Sequence, residues 1–433
     1  MIVANNLSAA IIFACFLLFV LAANFGWSRR RSSPNTRQLS SAFGQTGPPD
    51  PKTIEWKVTS SIPHQPAGNV GGEQCLSLRG QSGEWVRDMD YAATAQYASP
   101  VGKFSTFHGF QPTPKNPYRA ATTYRWVDES GSCPLVVADL GGMCSVLESL
   151  GVDRILIVGD SLSRYFAWSL WKVLGFDDPT PTFGGRAPGC HNWERMVQCP
   201  SSSTRRFRFT VAFTANDLAI DWPLEEQRQQ GDEAESADCR DEFMTEGTMQ
   251  AGRMCLPWLR KYAEHVGGRT LLVANTGPHI KSQDDFARIF DEFVALMDRY
   301  QKPGDIVMWR TNVPGHLDCD KPDVRPYSSI AEYKQDIEAA GPRSSAHRYM
   351  WTSFNGYNQY AKQVLEGPKR RTSAPIHMLD VYPMTILRKD GHVGGAEKCE
   401  DCKAMDCLHY ILPGPIDWWV HLMYSNLLSL ASQ

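Results

Sequence analysis

Three residues, one of them far from the other two in the chain, have the side-chain types that acyl transfer requires. Ser161 stands in Gly159-Asp-Ser-Leu-Ser-Arg164, directly after an apolar run, and Asp406-Cys-Leu-His409 lies near the C-terminus. Serine is a poor nucleophile at its own pKa and needs a neighbouring base, most often a histidine held in the right tautomer by a carboxylate. Asp406 and His409, three apart, share one face of a helical turn or tight loop, so one short segment can supply both base and orienting carboxylate. Ser161 is expected at a strand-to-helix turn, with its hydroxyl on the open edge of a sheet and helix amides close by for an anion. Plainer alternatives stand beside each. Gly159, Asp160 and Ser161 also suit a turn and a helix cap, and Asp406 suits a cap ahead of an exposed His409. Cys399, Cys402, Cys407 and His409 form a possible zinc set, which would take His409 out of catalysis. In an oxidising compartment those thiols become disulfides, so no metal is expected.

Elements able to bring these residues together follow from residue 154 onward, where short apolar runs alternate with helical patterns. The runs at 155–158, 207–213, 270–274, 306–309 and 376–379 predict strands, and 162–174, 284–300, 346–365 and 416–430 predict helices. That alternation predicts an α/β fold, a doubly wound, mostly parallel sheet with helices on both faces. The ligand crevice of such a sheet lies beyond the carboxyl ends of its strands. Ser161, Asn275-Thr-Gly277, Arg310 through His316, and Asp380 follow four of the predicted strands and read as the rim of a site. The main chain of Ser161 and the side chain of Asn275 are candidate oxyanion donors, with Gly185 as a further amide. Arg164, Arg310 and His316 are candidates for binding substrate or neutralising developing charge. Asn275 equally suits a turn, Gly184-Gly185 a plain turn, and the arginines surface ion pairs.

Composition narrows the class. A formal net charge of −3, from 44 basic and 47 acidic residues, provides no broad positive field and sets nucleic acid aside as a partner. Twelve cysteines spread along 433 residues favour an oxidising compartment. Residues 7–23 are an uncharged apolar run, followed by Phe25, Trp27 and Arg29 to Arg31. They predict an N-terminal membrane anchor within residues 1–27, a cleaved signal being the alternative. The three arginines after the span oppose a luminal C-terminal side by the positive-inside rule, and the cysteines favour it. Residues 28–70, rich in Ser, Pro, Gln and Gly, read as a flexible stem, and 71–150 as a loop-rich, disulfide-tied subdomain carrying many Trp and Tyr. The acidic stretch 225–246 reads as a solvated surface insertion. Trp85, Trp126, Trp418 and Trp419 suit stacking on sugar rings, though tryptophan more often fills a core.

Longer motifs carry a resemblance. Gly159-Asp-Ser-Leu-Ser-Arg164 and Asp406-Cys-Leu-His-Tyr-Ile-Leu-Pro-Gly-Pro-Ile-Asp-Trp418 are similar to segments of the plant trichome-birefringence-like polysaccharide O-acetyltransferases and their PC-esterase relatives, within the wider Gly-Asp-Ser-Leu (SGNH) hydrolase-like superfamily. Supporting segments lie in the family's order: Gly83-Glu-Trp-Val-Arg-Asp88, Tyr124-Arg-Trp126 followed by Cys133, Asn275-Thr-Gly277, Arg310-Thr311 with Pro314-Gly-His316, and Leu387-Arg-Lys-Asp-Gly-His392. The resemblance implies an SGNH-like acyltransferase domain over 151–433 in a single-pass type II Golgi membrane protein with its domain in the lumen. Ser161, His409 and Asp406 would carry an acetyl group to a hydroxyl of a polysaccharide or glycan. The acetyl donor, acetyl-CoA or another acetyl carrier, would be a substrate, with no bound cofactor. An acetylesterase using the same triad, with water as acceptor, and a noncatalytic glycan-binding protein are the other readings. The chain departs from the pattern at Tyr410 and Ile411, where the family usually has Trp-Cys, and at Tyr165, where it usually has Asn.

Overall fold

Apolar runs become strands, and their burial explains their composition. The strands are β1 (Gly83–Arg87), β2 (Tyr124–Asp128), β3 (Val152–Gly159), β4 (Trp193–Gln198), β5 (Arg208–Ala215), β6 (Arg269–Ala274), β7 (Ile306–Arg310) and β8 (Ile376–Leu379). The computed structural model describes residues 74–94, 120–129, 131–176, 192–200, 207–225, 255–321, 323–341, 344–367, 373, 375–393 and 406–433. The anchor and stem expected over residues 1–70, and Gly185, lie outside them. Among the described residues no helix is long and apolar enough to cross a membrane.

β1 and β2 pair antiparallel in a small sheet of their own, and the other six strands form one sheet in the order β4-β5-β3-β6-β7-β8. β5, β3, β6, β7 and β8 run parallel, and β4 is antiparallel to β5. The fold is α/β with a mixed central sheet. β3, β6 and β7 are buried almost throughout, so they read as continuous apolar runs. β4 was not expected from its sequence. Trp193 and Val197 point inward while Glu194, Met196 and Gln198 are exposed, as suits an edge strand guarded by charge.

The principal helices are α1 (Leu140–Leu150), α2 (Ser161–Val173), α3 (Gln283–Tyr300), α4 (Ile330–Glu338), α5 (Phe354–Glu366) and α6 (Asp417–Ala431). The chain passes from β3 through α2 and the edge strand β4 to β5, then crosses back to β6 and onward through α3 to β7. The strand order reverses beside β3, and crossovers of the general right hand leaving β3 in opposite directions put their helices on opposite faces of a sheet. α6 packs on α1 and α2, and α5 packs on α3. The single helix expected over 346–365 is broken: Met350 takes φ 55°, a short 3-10 turn follows at Trp351–Ser353, and α5 begins at Phe354.

Among the described residues three disulfides join distant segments: Cys75–Cys133, Cys144–Cys199 and Cys319–Cys407. The β1–β2 sheet docks through aromatic rings and buried polar contacts. Trp85 meets Trp126 and Trp418 edge to face at 5.4 and 5.6 Å, and its Nε1–H donates to the Met384 carbonyl at 2.7 Å. Trp126, Trp418 and Trp419 are buried. These tryptophans therefore build core and offer no open face to a sugar. Arg79, also buried, reaches the Ser425 carbonyl and Ser429 Oγ on α6.

Candidate active site

β3 ends at Gly159, and the helix begins two residues later. Asp160 Oδ1 accepts the main-chain N–H groups of Leu162 and Ser163 at 2.9 and 3.1 Å, a side-chain cap that fixes the first turn of α2. Gly159 is required because a Cβ there would collide with Ser163 Oγ and lie 2.8 Å from the Asn275 carbonyl. Ser161 is thereby the first residue of the helix. Its main-chain N–H has no acceptor among the described residues, and the helix dipole adds positive potential at that end.

His409 Nε2 lies 2.7 Å from Ser161 Oγ, and its Nδ1 lies 2.8 Å from Asp406 Oδ2. With Nδ1–H donating to Asp406, Nε2 presents a lone pair to the serine hydroxyl. Asp406 Oδ1 also accepts the main-chain N–H of His409 at 2.9 Å and of Leu408 at 3.1 Å. Burial alone would raise the Asp406 carboxyl. The hydrogen bond and charge of His409, with the two main-chain donors, outweigh it and hold the carboxyl at about 2. A carboxylate ionised at any physiological pH can orient the imidazole and stabilise its charged form.

The loop carrying Asp406 and His409 is fastened at three points to residues 314–319, the segment after β7. Cys407 is bonded to Cys319, beyond β7. The bonded sulfur of Cys407 cannot serve as a thiolate ligand, so the zinc set does not form with it; Cys399 and Cys402 lie outside the described residues. Among the described residues no group of three or more His, Cys, Asp or Glu side chains is placed to hold a metal ion. Gly315 passes so close that a Cβ would strike the Cys407 carbonyl and Trp351. Tyr410 is buried and donates its hydroxyl to the Pro314 carbonyl at 2.8 Å.

Other residues expected at the rim lie beneath it. Arg310 is buried: Nη2 donates to Ser163 Oγ at 3.1 Å and to Asn275 Oδ1, lies 3.7 Å from Asp160 Oδ1, and the guanidinium sits 4.8 Å from the Trp419 ring centroid. Burial lowers it to about 10, against the charges of Asp160 and Tyr410. Asn275 Nδ2 donates to the Arg310 carbonyl at 2.8 Å and to Asn312 Oδ1 at 3.1 Å, so its amide is committed inside the protein. His316, fully buried, lies with Nε2 2.8 Å from the Ile386 carbonyl and Nδ1 facing His392 Nε2. Arg310, Asn275 and His316 therefore build the floor of the crevice, a correction to their expected contact with substrate. All three are buried, and apart from Arg310 Nε their side-chain groups are engaged inside the protein.

His392 received no role from sequence, although it closes the Leu387-to-His392 motif. Its Nδ1 lies 3.1 Å from the carbonyl of His409, which also accepts from the Val393 N–H at 2.9 Å. Burial pushes both histidines down, His392 to about 3, so the pair is neutral and shares two N–H groups among three contacts. His316 Nε2 donates to the Ile386 carbonyl, and His392 Nδ1 faces the His409 carbonyl. Arg164 is half-buried on α2, with its guanidinium 5.1 Å from the Trp168 ring centroid. Burial lowers its pKa, opposed by Tyr165, Asp217 and Asp160, so it lies near the crevice charges.

A family model described as PC-Esterase, the GDSL/SGNH-like acyl-esterase family found in Pmr5 and Cas1p, matches residues 144–426. The chain belongs to the PC-esterase family. The match begins at Cys144 in α1 and ends within α6, so it takes in both Ser161 and the Asp406–His409 loop. This PC-esterase is 33% identical over 385 residues to trichome birefringence-like protein 39 of Arabidopsis thaliana, covering 86% of this chain and 92% of the relative. It is 21% identical over 448 residues to trichome birefringence-like protein 13 of the same plant, covering 95% and 94%. A shorter match, 39% identical over 59 residues, joins 12% of the PC-esterase to 14% of xyloglucan O-acetyltransferase 1 of Arabidopsis thaliana.

Proposed function

We propose that this PC-esterase is a polysaccharide O-acetyltransferase that carries acetyl as an ester on Ser161. The observation that carries the reading is the continuous relay from Ser161 Oγ through His409 to Asp406, at 2.7 and 2.8 Å. Ser161 Oγ bonds to the carbonyl carbon of an acetyl donor as its proton passes to His409 Nε2. The carbonyl oxygen takes the electron pair, with the free N–H of Ser161 as its nearest helix donor. The intermediate collapses, and the leaving group departs with the proton from His409. A sugar hydroxyl then gives its proton to Nε2 and attacks the acetyl carbon; the Oγ–acyl bond breaks, the sugar leaves as its O-acetyl ester, and Nε2 returns the proton to Ser161 Oγ. The donor is acetyl-CoA or another acetyl carrier, and the acceptor a polysaccharide or glycan; the short likeness to a xyloglucan O-acetyltransferase supports that acceptor class. Three disulfides support an oxidising compartment, and the reading places the domain in the Golgi lumen behind an N-terminal anchor.

The test is incubation of the full chain with acetyl-CoA and xyloglucan or xylan oligomers, followed by mass spectrometry. Oligomers gaining 42 Da units, ~the mass of one acetyl for hydrogen, are expected from the wild type and none from Ser161→Ala. Free acetate released from acetylated oligomers, without transfer, would make the chain an esterase. Transfer surviving Ser161→Ala would end the acyl-serine reading.

A further inference from the structure

One ring beside the relay has no part in the chemistry above. Tyr165 lies four residues after Ser161 on α2, so the helix that offers the nucleophile presents this side chain on the same face. Its ring is stacked on the His409 imidazole, centroids 5.2 Å apart and planes 25° from parallel. Trp168 backs it with a tilted contact at 5.2 Å. The His409 ring is held at Nδ1 by Asp406 and meets Ser161 at Nε2, which fixes its edges. Only contact with a ring face restrains tilt about the line between those two atoms, and Tyr165 supplies it.

We propose that Tyr165 is a positioning residue for the base, holding the His409 ring in the plane that faces Ser161 and favouring the cation that His409 becomes. The inference rests on the acyl-serine reading. When the Ser161 O–H bond breaks and its proton joins Nε2, the imidazole gains a full positive charge, which it loses again to the leaving group. An aromatic face carries negative potential and attracts a cation above it. The phenol stays neutral throughout, because burial raises it to about 12, with Arg164 lowering and Asp406 raising it. Among the described residues, the charged and titratable groups in contact with His409 include Asp406 on its own loop, Tyr165 and beyond it Arg164 on α2, and His392 beneath its carbonyl. Of these, Tyr165 is the one that covers the face of the ring.

The test measures kcat/KM against pH for the full chain with 4-nitrophenyl acetate as acyl donor. Tyr165→Phe, which keeps the ring, is expected within about twofold of wild type with an unmoved profile. Tyr165→Leu is expected to lose roughly three- to tenfold in kcat/KM, mostly in kcat, and to move its acidic limb to lower pH. Should Tyr165→Leu fail to fold, Tyr165→Met keeps an apolar filling of similar length and carries the same expectation. A Leu or Met variant with the wild-type limb, or a Phe variant falling as far as Leu, overturns the role of the ring. Ser161→Ala is run alongside: acyl turnover surviving in it sinks the acyl-serine reading itself, whereas a dead Ser161→Ala with an unmoved Leu profile sinks only the inference about Tyr165.

Discussion

Ser161 and His409 face each other across 2.7 Å, yet the two sides of that contact are held by opposite means. Ser161 is placed by secondary structure, at the end of the buried strand β3 and the capped start of α2, over a floor in which Asp160, Ser163, Asn275 and Arg310 bind one another. His409 belongs to no helix or ladder strand. Its loop is placed by tethers: a disulfide to Cys319, the close pass of Gly315, the Tyr410 hydroxyl and the histidine pair below. The comparison teaches that the nucleophile can be lost only with the sheet edge itself, whereas the base can be misplaced while the fold survives.

Asp406→Asn gives the largest break. An amide cannot hold the tautomer that leaves Nε2 free, so kcat is expected to fall by roughly 10³–10⁴ with the fold intact. The acid behaviour follows the sign of the shift. Asp406 is depressed to about 2 from 3.8, so its stabilising contribution is complete above the unfolded value and is lost as pH falls through about 2. Acid titration followed by circular dichroism should show wild type losing stability between pH 4 and 2 more steeply than Asp406→Asn. Equal slopes would mean that the carboxylate does not anchor the loop.

Arg310→Met tests the floor from the other side. It strips the buried Asp160 of its cation and leaves Asn275 Oδ1 without a donor, at an expected cost of about 3–5 kcal/mol in denaturant unfolding. Loss of turnover should track loss of folded protein. If folded Arg310→Met retains stability but loses turnover, Arg310 meets the substrate after all.

How much of this was legible in the sequence follows the same division. Ser161 could be read because strand, turn and cap are contiguous, and Asp406 and His409 because three residues apart means one surface. The parallel strands could be read because burial on both faces leaves unbroken apolar runs, as in Ile155 to Val158. β4 could not: its outward Glu194 and Gln198 break the run, and its strand character comes from pairing with β5. The break at Met350 depends on tertiary packing that overrides a helical pattern. Asn275, Arg310 and His316 were located correctly in chain order after strand ends, yet their direction was not. A polar side chain after a strand can face the crevice or bury beneath it, and nothing in its type distinguishes the two. The tethers were harder still, since Cys319 and His392 lie 88 and 17 residues from their partners in the loop.

Cys319→Ser sharpens the comparison at the loop. Removing the bridge should cost about 2–4 kcal/mol by freeing a long loop in the unfolded chain, and should lower kcat further, by roughly tenfold, in the protein that remains folded. Mild reduction of wild type should reproduce the rate loss if this bridge is the one attacked. Measuring kcat per folded molecule, with unfolding followed separately, checks it; a rate change no larger than the folded fraction explains would show that Gly315 and Tyr410 suffice to hold the loop.

Ser282→Ala is the smallest expected effect and the counterpart to that bridge. Ser282 caps α3: its Oγ accepts the Asp285 N–H at 3.0 Å and donates to Asp285 Oδ2 at 2.7 Å. α3 follows β6 and packs on α5, and neither helix carries a residue of the relay. Losing the cap should cost about 1 kcal/mol of stability. Per folded molecule, kcat and its pH profile should stay at wild-type values, because the cost falls on the cooperative unfolding of the sheet and not on the geometry of the loop. If Ser282→Ala lowers kcat as Cys319→Ser does, the loop is no more sensitive than the rest of the molecule, and the division between a placed nucleophile and a tethered base fails.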